Sequence, residues 1–165
     1  MEQLVVPYAV RTAEPEDLVE LEWSGGAEHI DALARAVQRS YVDEMAVLVI
    51  TAGRSGPAGT ARTVAVGAVD LTKRPGAGEL TMLSVRESWQ SLGLGTILIA
   101  ALEAQVRGHG LTRAVLAVEH DNPRAAALYH RLGYRRIGSE LDGWPVGPNR
   151  SYATVSFLLE RNLGN

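Results

Sequence analysis

Apolar residues recur along this chain in two rhythms, alternate positions and helical spacing, and the places where one gives way to the other mark out its elements. Leu4 to Val10 has strand character, as does the continuous apolar run Met45 to Thr51. Between them, Arg11-Thr-Ala-Glu-Pro-Glu-Asp turns the chain into a short helix, with Pro15 near its first position and acids in its first turn. Leu18, Leu21 and Trp23 face inward from that helix before Ser24-Gly25-Gly26 breaks it. Ile30, Leu33, Ala34, Val37 and Tyr41 form one stripe, which predicts a second helix over Ile30 to Tyr41. Ala52 to Ala61 is a Gly/Pro/Ser-rich hairpin tip, Thr63 to Leu71 returns as a strand, and Thr72 to Gly78 turns through Pro75 and Gly76. With Glu79 to Val85 the strands make an antiparallel meander.

The strand Glu79 to Val85 then feeds a helix through a glycine-bearing turn. Leu94, Leu98, Ala101, Leu102 and Val106 fall at helical spacings, so the helix spans about Leu94 to Arg107 and stops at Gly108 or Gly110. Arg113 to Val118 follows this crossover helix and should therefore lie parallel to the Glu79 strand. Another helix has clear end signals, with Asn122 as N-cap, Pro123 in the first turn and Gly133 at the stop. Tyr134 to Ser139 and Ala153 to Leu159 read as the last two strands, separated by a loop from Glu140 to Ser151 that holds Trp144, Pro145 and Pro148. At 165 residues the expectation is one domain spanning 1–165.

The turn between the Glu79 strand and its helix is where chemistry enters. Gly93 and Gly95 let the chain curl and bring consecutive backbone N–H groups up to a ligand, and the unpaired amides of a helix start favour an anion. The anion expected there is a phosphate. A dinucleotide fingerprint would need a third glycine where Leu98 stands, and a Walker-type loop would need a lysine that is absent.

Composition narrows the field. No apolar run approaches the roughly 20 residues of a membrane helix, and the amino terminus lacks a basic region followed by a signal core, so a cytoplasmic location without membrane contact is expected. The net charge of −3 argues against broad nucleic-acid binding. With no cysteine, and with His29, His109, His120 and His130 in no ligand spacing, no metal site is expected. Glu20, Glu22, Trp23, Glu28, His29 and Asp31 form an acid cluster that reads first as a solvated face and second as part of the mouth for a cationic acceptor.

The stretch Gln90-Ser-Leu-Gly93-Leu-Gly95 resembles the acyl-coenzyme A loop of the GNAT superfamily of N-acetyltransferases, Gln/Arg-x-x-Gly-x-Gly/Ala. Asn122-Pro-Arg-Ala-Ala-Ala-Leu-Tyr129-His-Arg-Leu-Gly133-Tyr134 resembles that family's second motif, Asn-x-x-Ala-x-x-x-Tyr-x-x-x-Gly-Phe/Tyr, with Ala126 inside the pattern. Either segment alone reads equally as a turn, a cap and a core aromatic; together, in the family's order and separation, they carry the resemblance over nearly the whole chain after residue 5. It implies an α+β GNAT fold: a mixed, mostly antiparallel sheet of about seven strands flanked by about four helices, splayed between the fourth and fifth strands. It also implies acetyl-CoA as co-substrate, held by Leu83, Ser84, Val85, Gln90, Ser91, Leu92, Gly93, Leu94, Gly95, Thr96, Asn122, Ala126 and Tyr129.

Acetyl transfer to an amine needs a neutral nucleophile, and an alkyl ammonium of pKa about 10.4 costs about 4 to 5 kcal/mol to neutralise at pH 7 unless a base takes its proton on site. By the resemblance Glu79 is the general base, on the strand that lines the acceptor site, and Tyr129 is the proton donor at the coenzyme sulfur. The bland readings are a solvent-facing glutamate and a wet core tyrosine. The resemblance also implies an oxyanion met by the backbone N–H of Leu83 or Val85. Two positions depart from the family: Ala117 stands where ribosomal-protein acetylases carry a base glutamate, with Glu119 on the same alternation, and Leu92 stands where the loop often has a basic residue, leaving phosphate binding to amides and Arg86 or Arg124. The expected function is therefore transfer of acetyl from acetyl-CoA to the primary amine of a small molecule. The alternatives are a protein or peptide N-acetyltransferase, its peptide groove walled by the first helices and the Glu140 to Ser151 loop, and a non-catalytic acyl-CoA sensor. A homodimer through the last strands has no sequence signal for or against it.

Overall fold

The computed structural model describes residue 3 and residues 5–54 and 60–164. Seven strands make one sheet: β1 (Tyr8–Thr12), β2 (Met45–Ala52), β3 (Arg62–Arg74), β4 (Ala77–Val85), β5 (Arg113–Glu119), β6 (Arg135–Gly147) and β7 (Arg150–Asn162). Their order is β1-β2-β3-β4-β5-β7-β6. Every neighbouring pair is antiparallel except β4 and β5, which run parallel across the crossover helix, as a strand–helix–strand connection requires. Three α-helices cover the sheet: α1 (Ala27–Ser40), α2 (Leu94–Gly108) and α3 (Pro123–Arg131), with 3-10 helices at Pro15–Ser24 and Glu87–Trp89.

The layers follow from alternation along the strands. Leu48, Ile50, Val64, Leu80, Leu116 and Leu159 point to one face, where they meet Leu98, Leu102 and Val106 of α2 and the inner side of α3. Val47, Val49, Val66 and Ala68 point to the other, under Leu33, Ala36 and Val37 of α1 and Leu21 of the first 3-10 helix. Helix α2 lies hard against the sheet because the strands beneath it carry glycine: a Cβ at Gly78 would stand 2.5 Å from Val106, and one at Gly67 2.8 Å from Leu83 and 3.0 Å from Leu102. That close seat fixes where the N-terminus of α2 points.

Three expectations change. The first strand lies at Tyr8–Thr12, because its register on β2 pairs Tyr8 with Ala52 and Thr12 with Leu48, and Val5 and Val6 fall before the partner strand's reach; Leu4 is outside the described residues. The Pro15 segment is a 3-10 helix, held at its start by a capping box between Glu14 and Asp17. The largest change is at Glu140 to Ser151, which is no loop: β6 and β7 form one hairpin that pairs as far as Gly147 and Arg150. Pro145 is tolerated because β6 is the outer strand of the sheet, where a missing N–H costs no second ladder, and Trp144 opposite Tyr152, with ring centroids 5.0 Å apart, staples the outer half. Tip residues 55–59 of the β2–β3 connection lie outside the described residues. No helix among the described residues is long and apolar enough to cross a membrane.

Candidate active site

β4 and β5 part company in mid-sheet. Their pairing runs from Ala77–Arg113 to Leu80–Leu116 and ends there, although β4 continues to Val85 and β5 to Glu119. On its other side β4 stays paired to β3 but carries an extra residue between Thr81 and Ser84, and Met82 takes a φ of 56° to accommodate it. A bulge of this kind bends and twists its strand. The edge of β4 from Thr81 to Val85 therefore faces a gap with no partner strand, and two cavities open into it.

The larger cavity has a volume of about 660 Å³. Leu83, Ser84 and Val85 line it from β4; Gln90, Ser91, Gly93, Leu94, Gly95 and Thr96 line it from the loop and the first turn of α2; Asn122 and Tyr129 line it from α3. The loop is shaped by backbone. Gln90 Nε2 donates to the Val85 carbonyl at 3.1 Å, folding the loop back on the strand end, and Ser91 and Gly93 take φ of 64° and 85°. The left-handed Gly93 starts α2, whose first internal bond is Ile97 N–H to the Gly93 carbonyl, so the amides before Ile97 are free of helical partners and aimed at the groove. Two expected residues stand apart from this lining: Leu92 is 64 % exposed at the loop's outer side, and Ala126 packs against the core.

The cation that the loop lacks comes from α3. Arg124 lines the groove and donates to Ser91 Oγ at 3.0 Å, whereas Arg86, the other arginine considered, lies over the Trp23 ring at 5.7 Å. Asn122 accepts from Ala125 N–H at 3.2 Å, so it caps α3 while bordering the groove. Glu20, Glu22, Glu28 and Asp31 are exposed, as a solvated face would be.

The smaller cavity, about 190 Å³, lies on the gap between β4 and β5. Lys73, Glu79, Thr81, Met82, Leu83, Ala117, Glu140 and Asp142 are among the residues around it, with Tyr129 at its junction with the larger one. Glu79 is buried and its two oxygens are divided between two cations: Oε1 accepts from Lys73 Nζ at 2.7 Å and Oε2 from Arg74 Nε at 2.5 Å. Arg74 also reaches Glu140 at 3.1 and 3.2 Å, which ties the β3–β4 turn to the outer hairpin across the gap. Ala117 borders the cavity, while Glu119, on the same alternation, does not; its Oε1 is buried without a partner among the described residues.

Tyr129 lines both spaces, and burial pushes its phenol up from the usual value of about 10. It is held by its neighbour. The Tyr134 ring meets it edge-on at 6.1 Å, Tyr134 N–H donates to the Tyr129 carbonyl at 3.0 Å, and the Tyr134 hydroxyl donates to buried Glu103 at 2.8 Å. Arg161 closes that network on Glu103 at 2.8 and 3.0 Å. Burial, then the Glu103 carboxylate, raises Tyr134 strongly, so both phenols stay protonated.

Sequence reasoning did not find Lys73, Arg74, Glu140 or Asp142. Their cavity is made by residues from β3, β4, β5, β6 and α3, and no local spacing announces it.

Known proteins agree with this architecture. An acetyltransferase of Bacillus subtilis, so named by inference, is 35 % identical over 91 residues, which cover 54 % of each chain. A mycothiol acetyltransferase of Salinispora tropica is 43 % identical over 76 residues, 44 % of this chain and 25 % of that protein. This chain thus spans about half or less of the curated relatives it matches. Among solved structures, the PaiA N-acetyltransferase of Thermoplasma acidophilum in complex with coenzyme A superposes with a TM-score of 0.67 at 14 % identity, over 94 % of this chain and 99 % of that one. The family profile described as Acetyltransferase (GNAT) family matches residues 15–134, and with the parted strands, the glycine loop and the two-sided tyrosine it shows that the chain belongs to that family.

Proposed function

We propose that this protein transfers an acetyl group from acetyl-CoA to the primary amine of a small molecule, with the large groove for the coenzyme and the small cavity for the amine. The observation that carries this reading is the position of Tyr129, the one side chain from α3 that borders both spaces. Free first-turn amides of α2 and the Arg124 guanidinium suit a diphosphate, and the unpaired edge of β4 suits an amide-rich pantetheine arm. The coenzyme supplies the acetyl group as an activated thioester.

The chain's own residues then divide the work. Glu79 takes the proton that the acceptor nitrogen sheds on its way to attacking the thioester carbonyl, so the free amine, which lies roughly 4 to 5 kcal/mol above the ammonium at neutral pH, need not build up first. Backbone N–H groups on the unpaired edge of β4, at Leu83 or Val85, receive the developing negative charge on the carbonyl oxygen. Tyr129, kept protonated by burial, donates to the departing sulfur. Since a thiol of pKa near 8.5 is the stronger acid, hydrogen bonding at the sulfur contributes as much as complete transfer.

The test is thiol release from acetyl-CoA across a panel of small amines, with isothermal titration of coenzyme A alongside. Turnover with at least one amine supports the reading. Coenzyme binding with silence toward every amine would leave an acyl-CoA-binding protein in its place.

A further inference from the structure

We infer that Lys73 is a built-in stand-in for the substrate, its ammonium resting on Glu79 Oε1 where the protonated amine of the acceptor must go. This inference rests on the assignment of the small cavity as the acceptor site. Lys73 is the only lysine in the chain, and its side-chain nitrogen is 2.7 Å from the carboxylate assigned as base, inside the cavity that Tyr129 borders.

The two cations on Glu79 are not equivalent. Arg74 is 24 % exposed and spans Glu79 and Glu140, so it is part of the wall. The Lys73 side chain is 56 % exposed, its Nζ bonds to Glu79 alone among the described residues, and it sits on a long flexible stem, while its backbone N–H is held by Asp70 at 3.0 Å. The lysine end of the pair is open to solvent although Glu79 is buried, so displacing it costs an arriving ammonium of equal charge about a factor of five. Arg74 then keeps Oε2 in place and Oε1 turns to the guest. The exchange swaps one cation for another and never leaves Glu79 Oε1 bare.

The consequence is a rule for acceptors. Aliphatic amines, protonated in solution, compete for the Lys73 position and are delivered to the base; aromatic amines, neutral at pH 7, have no charge with which to displace it. Lys73 therefore determines specificity by charge.

The experiment reads Lys73 directly. Its acylation by N-hydroxysuccinimidyl acetate, followed by peptide mass spectrometry, is measured with and without N,N-dimethylbutylamine, a cationic tertiary amine that the reagent does not convert to an amide. Labelling of Lys73 is expected to rise about threefold to fivefold with the tertiary amine, and to stay level with N,N-dimethylaniline. In steady-state kinetics Lys73→Met should lower KM for alkylamines by about the same factor, and Lys73→Arg should restore the native value. Labelling that ignores the tertiary amine, or a KM that is unchanged or higher in Lys73→Met, overturns the inference even if the native enzyme acetylates its panel. A panel silent throughout, with amine-dependent labelling intact, overturns the catalytic reading and leaves the cation exchange standing.

Discussion

The two cavities that meet at Tyr129 are built in opposite ways. The groove proposed for the coenzyme is made by contiguous stretches, the end of β4, the loop through Gly93 and two turns of α3, and much of its lining is backbone. The cavity proposed for the acceptor is made by side chains from strands far apart in sequence, and beside it Arg74 reaches 66 residues to Glu140. Backbone amides at a helix start offer the same donors whatever side chains surround them, which suits a ligand that does not change. A wall of side-chain charges is altered by single substitutions, which suits an acceptor that does.

This contrast predicts which substitutions separate the two sites. The largest effect falls where they join: Tyr129→Phe should lower turnover about a hundredfold while the coenzyme dissociation constant stays within a factor of two, read by initial rates and titration. An equal loss in both would make Tyr129 a packing residue. Glu79→Gln should come next, lowering kcat by about ten- to a hundredfold without weakening the coenzyme. Arg74→Met leaves two carboxylates without their shared cation, one of them buried, and should cost about 2 kcal/mol of stability in denaturant melts while raising the acceptor KM. Arg124→Ala should do the reverse, weakening coenzyme binding about fivefold, more at low salt than at high, with the acceptor KM unchanged. If it moved the acceptor KM instead, the division drawn between the cavities would fall.

The smallest expected effect concerns pH. Tyr129 and Tyr134 have folded pKa values raised above the unfolded phenol value of about 10, so each is neutral in both states below pH 10 and the fold loses nothing there. As pH climbs past 10, the unfolded chain releases those protons first and gains the advantage. Thermal melts should thus hold steady from neutral pH to about 10 and fall above it, and Tyr134→Phe should soften the fall.

Much of the groove was legible because its determinants are local. Gly93, Asn122, Pro123 and Gly133 each mark a helix end by a conformational rule that acts within a few residues, and the structure places all of them where those rules put them. The parallel return of β5 was legible for the same reason, since handedness and crossover length leave few alternatives. The outer hairpin was not. Gly143, Pro145, Gly147 and Pro148 read as punctuation, and only pairing with β7 across Trp144 and Tyr152 turns that segment into a strand. Nor was the bulge, for Met82 has no sequence mark of a positive φ, and its conformation is set by the register β3 imposes on either side.

By itself the sequence determined the order of the elements, the helix ends and the glycine turn before α2, because each depends on torsional preferences and amide geometry over a handful of residues. Tertiary structure alone decided that β4 and β5 part at Leu80 and Leu116, that Arg124 rather than Arg86 faces the groove, and that Lys73, Glu79 and Glu140 share one small space. Those outcomes depend on which distant strands lie side by side, and the Coulomb energy of a charge pair depends on its separation in space, not on its separation along the chain.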